Sequence, residues 1–303
     1  MNGHEALARA ILNATDRVYT VPGYPITEIG AQTGAEMVIN EKTGLEYALG
    51  DSLSGRRAAL IIKNVGVNAC VDPLLQATAQ GLVAGVLLVV GDDPDAVGSQ
   101  TSQDTRIIGE LAEIPVIEPG KDNCSRAVEA ALLASEEFSR VAMLRVTPRF
   151  LDGEVTDTPV ARIDGRGRLS DRSYTMHGKV TASRVLFRKM QEWSDASPLN
   201  IWGSEPAGVG PGLGPTRVVT VFPPPAKAAG YTVIHEEGLP FTSDHCRHTF
   251  LPDNEGTSSP QTLEERGYFR TFCRECPFKH VIAFMQEIGI RPVCDAGCVV
   301  LAM

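Results

Sequence analysis

Two apolar runs, AALIIK at 58–63 and GVLLVV at 85–90, constrain the fold of this chain more than any other feature. Neither alternates apolar with polar residues, as a strand with one wet face does, so both read as strands covered on both faces. Shorter runs at 18–21, at 37–40, near 116 and near 141 fit the same pattern. Helical patterns lie between them, at 5–13, after Pro25, at 42–54, and near 104 and 125. Strands separated by helices predict parallel β/α units. Residues 1–160 are therefore expected to form an α/β domain, a parallel sheet with helices on both faces.

The 303 residues allow about two domains of ordinary size. Residues 153–180, which include ARIDGRGRLSDRS, are polar and read as a linker. Residues 161–240 read as a small α/β middle domain, with a helix at 182–193 and strands at 200–202, 218–222 and 231–235. The run GVGPGLGP at 208–215 is interrupted by prolines and precedes a strand, so it reads as a loop and not as a phosphate cradle. Residues 241–303 form a third, cysteine-rich segment with one helix at 280–289.

Charge narrows the function. With 28 basic and 37 acidic residues the net charge is −9, which leaves no broad basic surface for nucleic acid. Aromatic residues, at 6%, offer few platforms for base stacking. No apolar run reaches the roughly 18 residues of a membrane span. The opening MNGHEALARAILNA reads as an amphipathic helix and not as a signal peptide, so a cytoplasmic address is expected.

Seven cysteines without a secretion signal do not suggest a disulfide scaffold. Five of them, Cys246, Cys273, Cys276, Cys294 and Cys298, crowd the last part of the chain. The spacings Cys273-x2-Cys276 and Cys294-x3-Cys298 make two close pairs with a helix between them. Four thiolates suit Zn²⁺ or a [4Fe–4S] cluster, and paired cysteines alone favour zinc slightly. His245 and His248 flank Cys246 and keep a zinc alternative open. Cys70 and Cys124 lie in or beside helices and read as inert core thiols.

Several motifs, taken in order, resemble the 2-oxoacid:ferredoxin oxidoreductases, and among them most the large subunit of the indolepyruvate enzymes. GYPITEI at 23–29 is similar to the family's glycine-tyrosine-proline loop, though shorter in the middle. NEKTGLEYALGDSLSG at 40–55, KNVGVNACVDPL at 63–74 and DDPDAVGSQTSQDTR at 92–106 resemble three further family stretches. VIHEEGLPF at 233–241 resembles an acidic strand end of the middle domain, and FCRECPFKH with CDAGC resembles the start of a diphosphate-binding domain.

The resemblance implies a thiamine-diphosphate-binding fold of the pyrimidine-domain kind. It implies that Glu41 activates the cofactor through a proton bond to pyrimidine N1′. A first-turn helix carboxylate, favoured by the helix dipole, is the plainer reading of the same residue. Lys63, Asn64 and Asn68 would meet substrate carboxylate or cofactor, with Gly23, Tyr24, Pro25 and Thr27 at the pocket edge. Asp92 and Asp93 would form a loop at a domain interface rather than a Mg²⁺ site. Cys273, Cys276 and Cys298 would hold a [4Fe–4S] cluster, with Cys294, Cys246 or a partner supplying the fourth ligand.

The family's glycine-aspartate-glycine diphosphate loop has no counterpart in these residues. A second subunit is expected to supply that half of the site, with ferredoxin as the electron partner. Two other readings stand beside this one: a non-catalytic iron–sulfur scaffold derived from the same fold, and a zinc-stabilised structural subunit.

Overall fold

This computed structural model describes residues 1–171 and 176–199, short strands at 216–218, 221–222, 232–234 and 241–242, and residues 279–288. The chain divides into a unit of Met1–Asp253 and a unit of Asn254–Met303.

The first unit begins with α1 (Gly3–Ala14), β1 (Arg17–Thr20), α2 (Thr27–Gln32), β2 (Glu36–Met37), α3 (Glu41–Leu53) and β3 (Ala58–Lys63). A 3₁₀ turn at Asn64–Gly66 leads into α4 (Val67–Gln80) and β4 (Val86–Gly91). There follow α5 (Arg106–Leu111), β5 (Val116–Ile117), α6 (Cys124–Phe138), β6 (Ala142–Val146), α7 (Pro148–Leu151) and the long α8 (Met176–Ala196). The strands order β2-β1-β3-β4-β6-β5, all parallel. This is the expected α/β sheet.

Its core explains the apolar runs. Successive strand residues point to opposite faces. From β3 and β4, Ala59, Ile61, Leu87 and Val89 pack with α1 and α6. Ala58, Leu60, Ile62, Val86, Leu88 and Val90 pack with α3 and α4. All ten are fully buried, so neither face tolerates polar alternation. α8 adds a layer through Met190 and Trp193, whose ring meets Phe138 edge-on at 5.6 Å.

The apolar run expected as a strand at 37–40 behaves differently. β2 has two residues and lies at the sheet edge, and Met37 and Ile39 are 71% and 87% exposed.

β7 (Thr216–Val218), β9 (Thr232–Ile234) and β10 (Phe241–Thr242) make a small sheet in the order β10-β9-β7. β8 (Val221–Phe222) instead pairs antiparallel with β5 and extends the main sheet. The strand expected at 200–202 and the glycine run at 208–215 lie outside the described residues. In the second unit, α9 (Lys279–Glu287) occupies the expected helical segment.

The polar stretch expected as a linker is fastened, over residues 156–171, along the N-terminal edge of the sheet. Gly167 N–H donates to Val83 O (2.8 Å) and Ser170 N–H to Gln80 O (2.7 Å). Buried Arg57 donates to Glu136 (2.7 and 2.8 Å), to Glu129 (3.0 Å) and to Ile163 O (2.6 Å). The same carboxylates accept from Ile163 N–H (2.8 Å) and Gly165 N–H (2.9 Å). Charges removed from water need this density of partners.

Candidate functional site

The strand order places a topological boundary, the position of a crevice in sheets of this kind. From β1 the chain runs to β2 on one side, while β3 and β4 continue on the other. Loops leaving such a boundary diverge beyond the strand C-termini, where α/β sheets bind ligands. Four segments meet there: 21–26 after β1, Asn40–Glu41 after β2, Lys63–Gly66 after β3 and the loop 92–105 after β4.

Glu41 is the first residue of α3. Asn40 caps the helix, its side chain accepting from Thr43 N–H at 2.9 Å. The helix N-terminus favours a carboxylate at this position. Glu41 is half-buried. It lies on the 3₁₀ turn after β3, where a β-carbon on Gly66 would stand 2.6 Å from Oε1 and 2.9 Å from Cδ. A side chain at Gly66 and the present position of Glu41 are therefore incompatible. Beneath them the buried Cys70 thiol is pushed up to about 12, by burial first and by the Glu41 carboxylate second. No hydrogen bond or ion pair to the Glu41 carboxylate occurs among the described residues.

Lys63 ends β3 and is half-buried. Its stem passes over Gly23, where a β-carbon would stand 2.7 Å from Lys63 Cδ. Its ammonium donates to Gln100 Oε1 at 2.6 Å. Asn64 is fully buried and turned inward, donating to Thr101 O (3.2 Å) while its Oδ1 accepts from Val65 N–H (2.8 Å). Asn68 and Gln103 exchange amide hydrogen bonds at 2.9 and 3.0 Å.

The loop 92–105 is anchored from below. Asp93 accepts from Val97, Gly98 and Ser99 N–H at 3.0, 2.7 and 2.7 Å. Asp92 is fully buried and accepts from Arg145 and from Thr105 N–H. Burial raises the Asp92 carboxyl pKa, against the pull of Arg145. Arg145 also pairs with Glu118. Burial works against the Asp104 carboxylate too, but Arg106 outweighs it and holds that group well below the usual range. Both carboxylates of the Asp92–Asp93 pair are thus engaged by the protein. The Tyr24 ring lies on the backbone at Gly98, where a β-carbon would stand 2.3 Å from Cδ1. Pro25 and Ile26 pack on Gly91 at the end of β4.

The chain is similar to curated proteins named indolepyruvate oxidoreductase subunit IorA. The protein of Pyrococcus abyssi is 32% identical over 240 residues, covering 70% of this chain and 37% of the relative. That of Archaeoglobus fulgidus is 36% identical over 233 residues, covering 68% and 37%. The chain belongs to the 2-oxoacid:ferredoxin oxidoreductase family. It spans a little over a third of the length of these IorA relatives. A solved 2-oxoglutarate:ferredoxin oxidoreductase from Magnetococcus marinus aligns with a TM-score of 0.43 and 16% identity, over 54% of this chain and 33% of that one. No protein-family model matches the chain.

Of the residues singled out through the 2-oxoacid:ferredoxin oxidoreductase motifs, Gly23, Tyr24, Pro25, Glu41, Lys63, Asn64 and Asn68 gather at this end of the sheet, with Thr27 opening α2 beside them. Gln100 and Gln103 had no assigned role. Their only sequence signal was the SQ–QD stretch of the family motif. Cys246, Cys273, Cys276, Cys294 and Cys298 lie outside the described residues. Among the described residues no cluster of three or more His, Cys, Asp or Glu is placed to hold a metal ion. Cys70 and Cys124 are buried, and burial raises both thiols. A separate cavity of about 260 Å³ lies at the opposite edge, under the 156–171 segment, lined by Thr78, Ser139, Arg168, Ser170 and Lys179 among others. No described helix is long and apolar enough to cross a membrane.

Proposed function

We propose that this chain contributes the pyrimidine-facing part of a thiamine-diphosphate-dependent 2-oxo-acid:ferredoxin oxidoreductase, with Glu41 activating the cofactor. One observation carries this reading: a half-buried carboxylate at the strand-end crevice, seated on Gly66 and without a hydrogen-bond partner among the described residues. The helix dipole favours a carboxylate here in either case, but one that bonds a ring nitrogen also needs an oxygen left unengaged by the protein. When bound, thiamine diphosphate supplies the nucleophilic carbon that attacks a 2-oxo group. Glu41 holds the proton at pyrimidine N1′. Lys63 offers a fixed positive charge, while Tyr24, Pro25 and Thr27 border the crevice. The cysteine pairs carry a [4Fe–4S] cluster for electron transfer to ferredoxin, and a second subunit in the cytoplasm supplies the diphosphate half. The curated relatives are themselves named as subunits, which supports that assembly.

The test is co-purification under anaerobic conditions with a second chain bearing a diphosphate loop, followed by turnover of 2-oxo acids. Glu41→Gln is expected to reduce turnover by about 10²-fold or more, the usual worth of a positioned acid–base group. Turnover at the wild-type rate removes the role of Glu41.

A further inference from the structure

We infer that Gln100 and Lys63 together form a two-point carboxylate subsite, and that Gln100 selects anionic 2-oxo acids. This rests on the proposed function for the name of the ligand, but its geometry stands apart from Glu41.

Lysine only donates, so the atom of Gln100 that faces Lys63 must be the carbonyl oxygen. That fixes the amide and leaves its NH₂ group beside the ammonium. Among the described residues this NH₂ meets no acceptor, and Lys63 has no carboxylate partner. The ammonium spends one of its three N–H groups on Gln100. A neutral amide orients the cation without cancelling its charge, which a Glu or Asp in the same place would do. The remaining N–H groups of Lys63 and the NH₂ of Gln100 can each serve one oxygen of a single carboxylate. Gln100 itself is exposed, and three contacts limit the movement of its loop and of Lys63. The Lys63 stem is confined by Gly23, the loop bearing Gln100 is pinned by the three amide bonds to Asp93, and the Asn68–Gln103 exchange closes the neighbouring side. Asn68 and Gln103 satisfy each other and are left out of the subsite.

The chain is titrated with pyruvate, without thiamine diphosphate, while the Gln100 side-chain amide is followed by ¹H–¹⁵N NMR. Pyruvamide, which has the same shape but no charge, is the control. Saturable movement of the Gln100 signal with pyruvate and none with pyruvamide is expected. Gln100→Ala should weaken pyruvate binding several-fold. Gln100→Glu, read from neighbouring backbone signals, should weaken it at least tenfold because the new carboxylate occupies Lys63. Lys63→Arg should retain binding and Lys63→Met should lose it. The inference is overturned by equal responses to pyruvate and pyruvamide, by undiminished binding in Gln100→Glu, or by no saturable response in the wild type. Since no cofactor is present, these outcomes are independent of whether Glu41 activates thiamine.

Discussion

Gly66 and Tyr19 show how single residues set this site and its stability. Glu41 rests where a β-carbon on residue 66 would be, 2.6 Å from Oε1. Gly66→Ala should therefore displace the carboxylate while leaving the fold intact. On the proposed role of Glu41, a shift of about 1 Å costs about 10²-fold, so 2-oxo-acid turnover with the partner chain should approach that of Glu41→Gln with the melting temperature little changed. Tyr19 donates to Asp51 Oδ2 at 2.6 Å, and burial followed by that carboxylate raises its pKa to about 12. The folded state thus holds the phenolic proton more tightly than the unfolded chain, whose tyrosine titrates near 10. The resulting stabilisation is complete below pH 10 and disappears as pH climbs toward 12. Urea unfolding between pH 9 and 12 should show this decline, and Tyr19→Phe should flatten the part of it that lies between 10 and 12.

At the scale of elements, legibility followed the range of the forces. Ala58–Lys63 was readable to the residue because burial on both faces removes polar alternation from the sequence itself. The apolar run at 37–40 gives only the two-residue edge strand Glu36–Met37, and Met37 and Ile39 are apolar yet exposed, so apolarity there does not mark a core strand. The 156–171 segment carried no signal beyond polarity, because its anchors are far away in sequence; Arg57 and Ile163 are 106 positions apart. In the crevice, Glu41 and Lys63 were singled out through the family motifs and not by residue type alone, whereas Gln100 and Gln103 meet their partners only once the loop folds back over β3. Arg57→Met tests the basal anchor. It leaves Glu129 and Glu136 buried without their cation and should cost about 3–5 kcal/mol by urea denaturation. Faster protease cleavage within 156–171 should accompany that loss.

For the whole molecule, the cysteine-rich segment decides between an electron-carrying subunit and a zinc-stabilised one. Anaerobically purified protein is expected to contain iron and acid-labile sulfide in similar amounts, and combined Cys273→Ser and Cys276→Ser changes should remove both. Zinc without sulfide would favour the structural alternative. Cys70 is fully buried with its thiol pushed up to about 12, so Cys70→Ser should leave the metal content unaltered.

The basal anchor also determines where this protein can be cut. Severing the chain at residue 160, where the α/β pattern ends in the sequence, would discard the Arg162 guanidinium that grips Asp16 at 2.8 and 3.1 Å. It would also discard the amides of Ile163 and Gly165, which cap two interior carboxylates. A fragment meant for calorimetry or crystallisation should therefore run to at least Ser170, whose own amide closes the seam on Gln80.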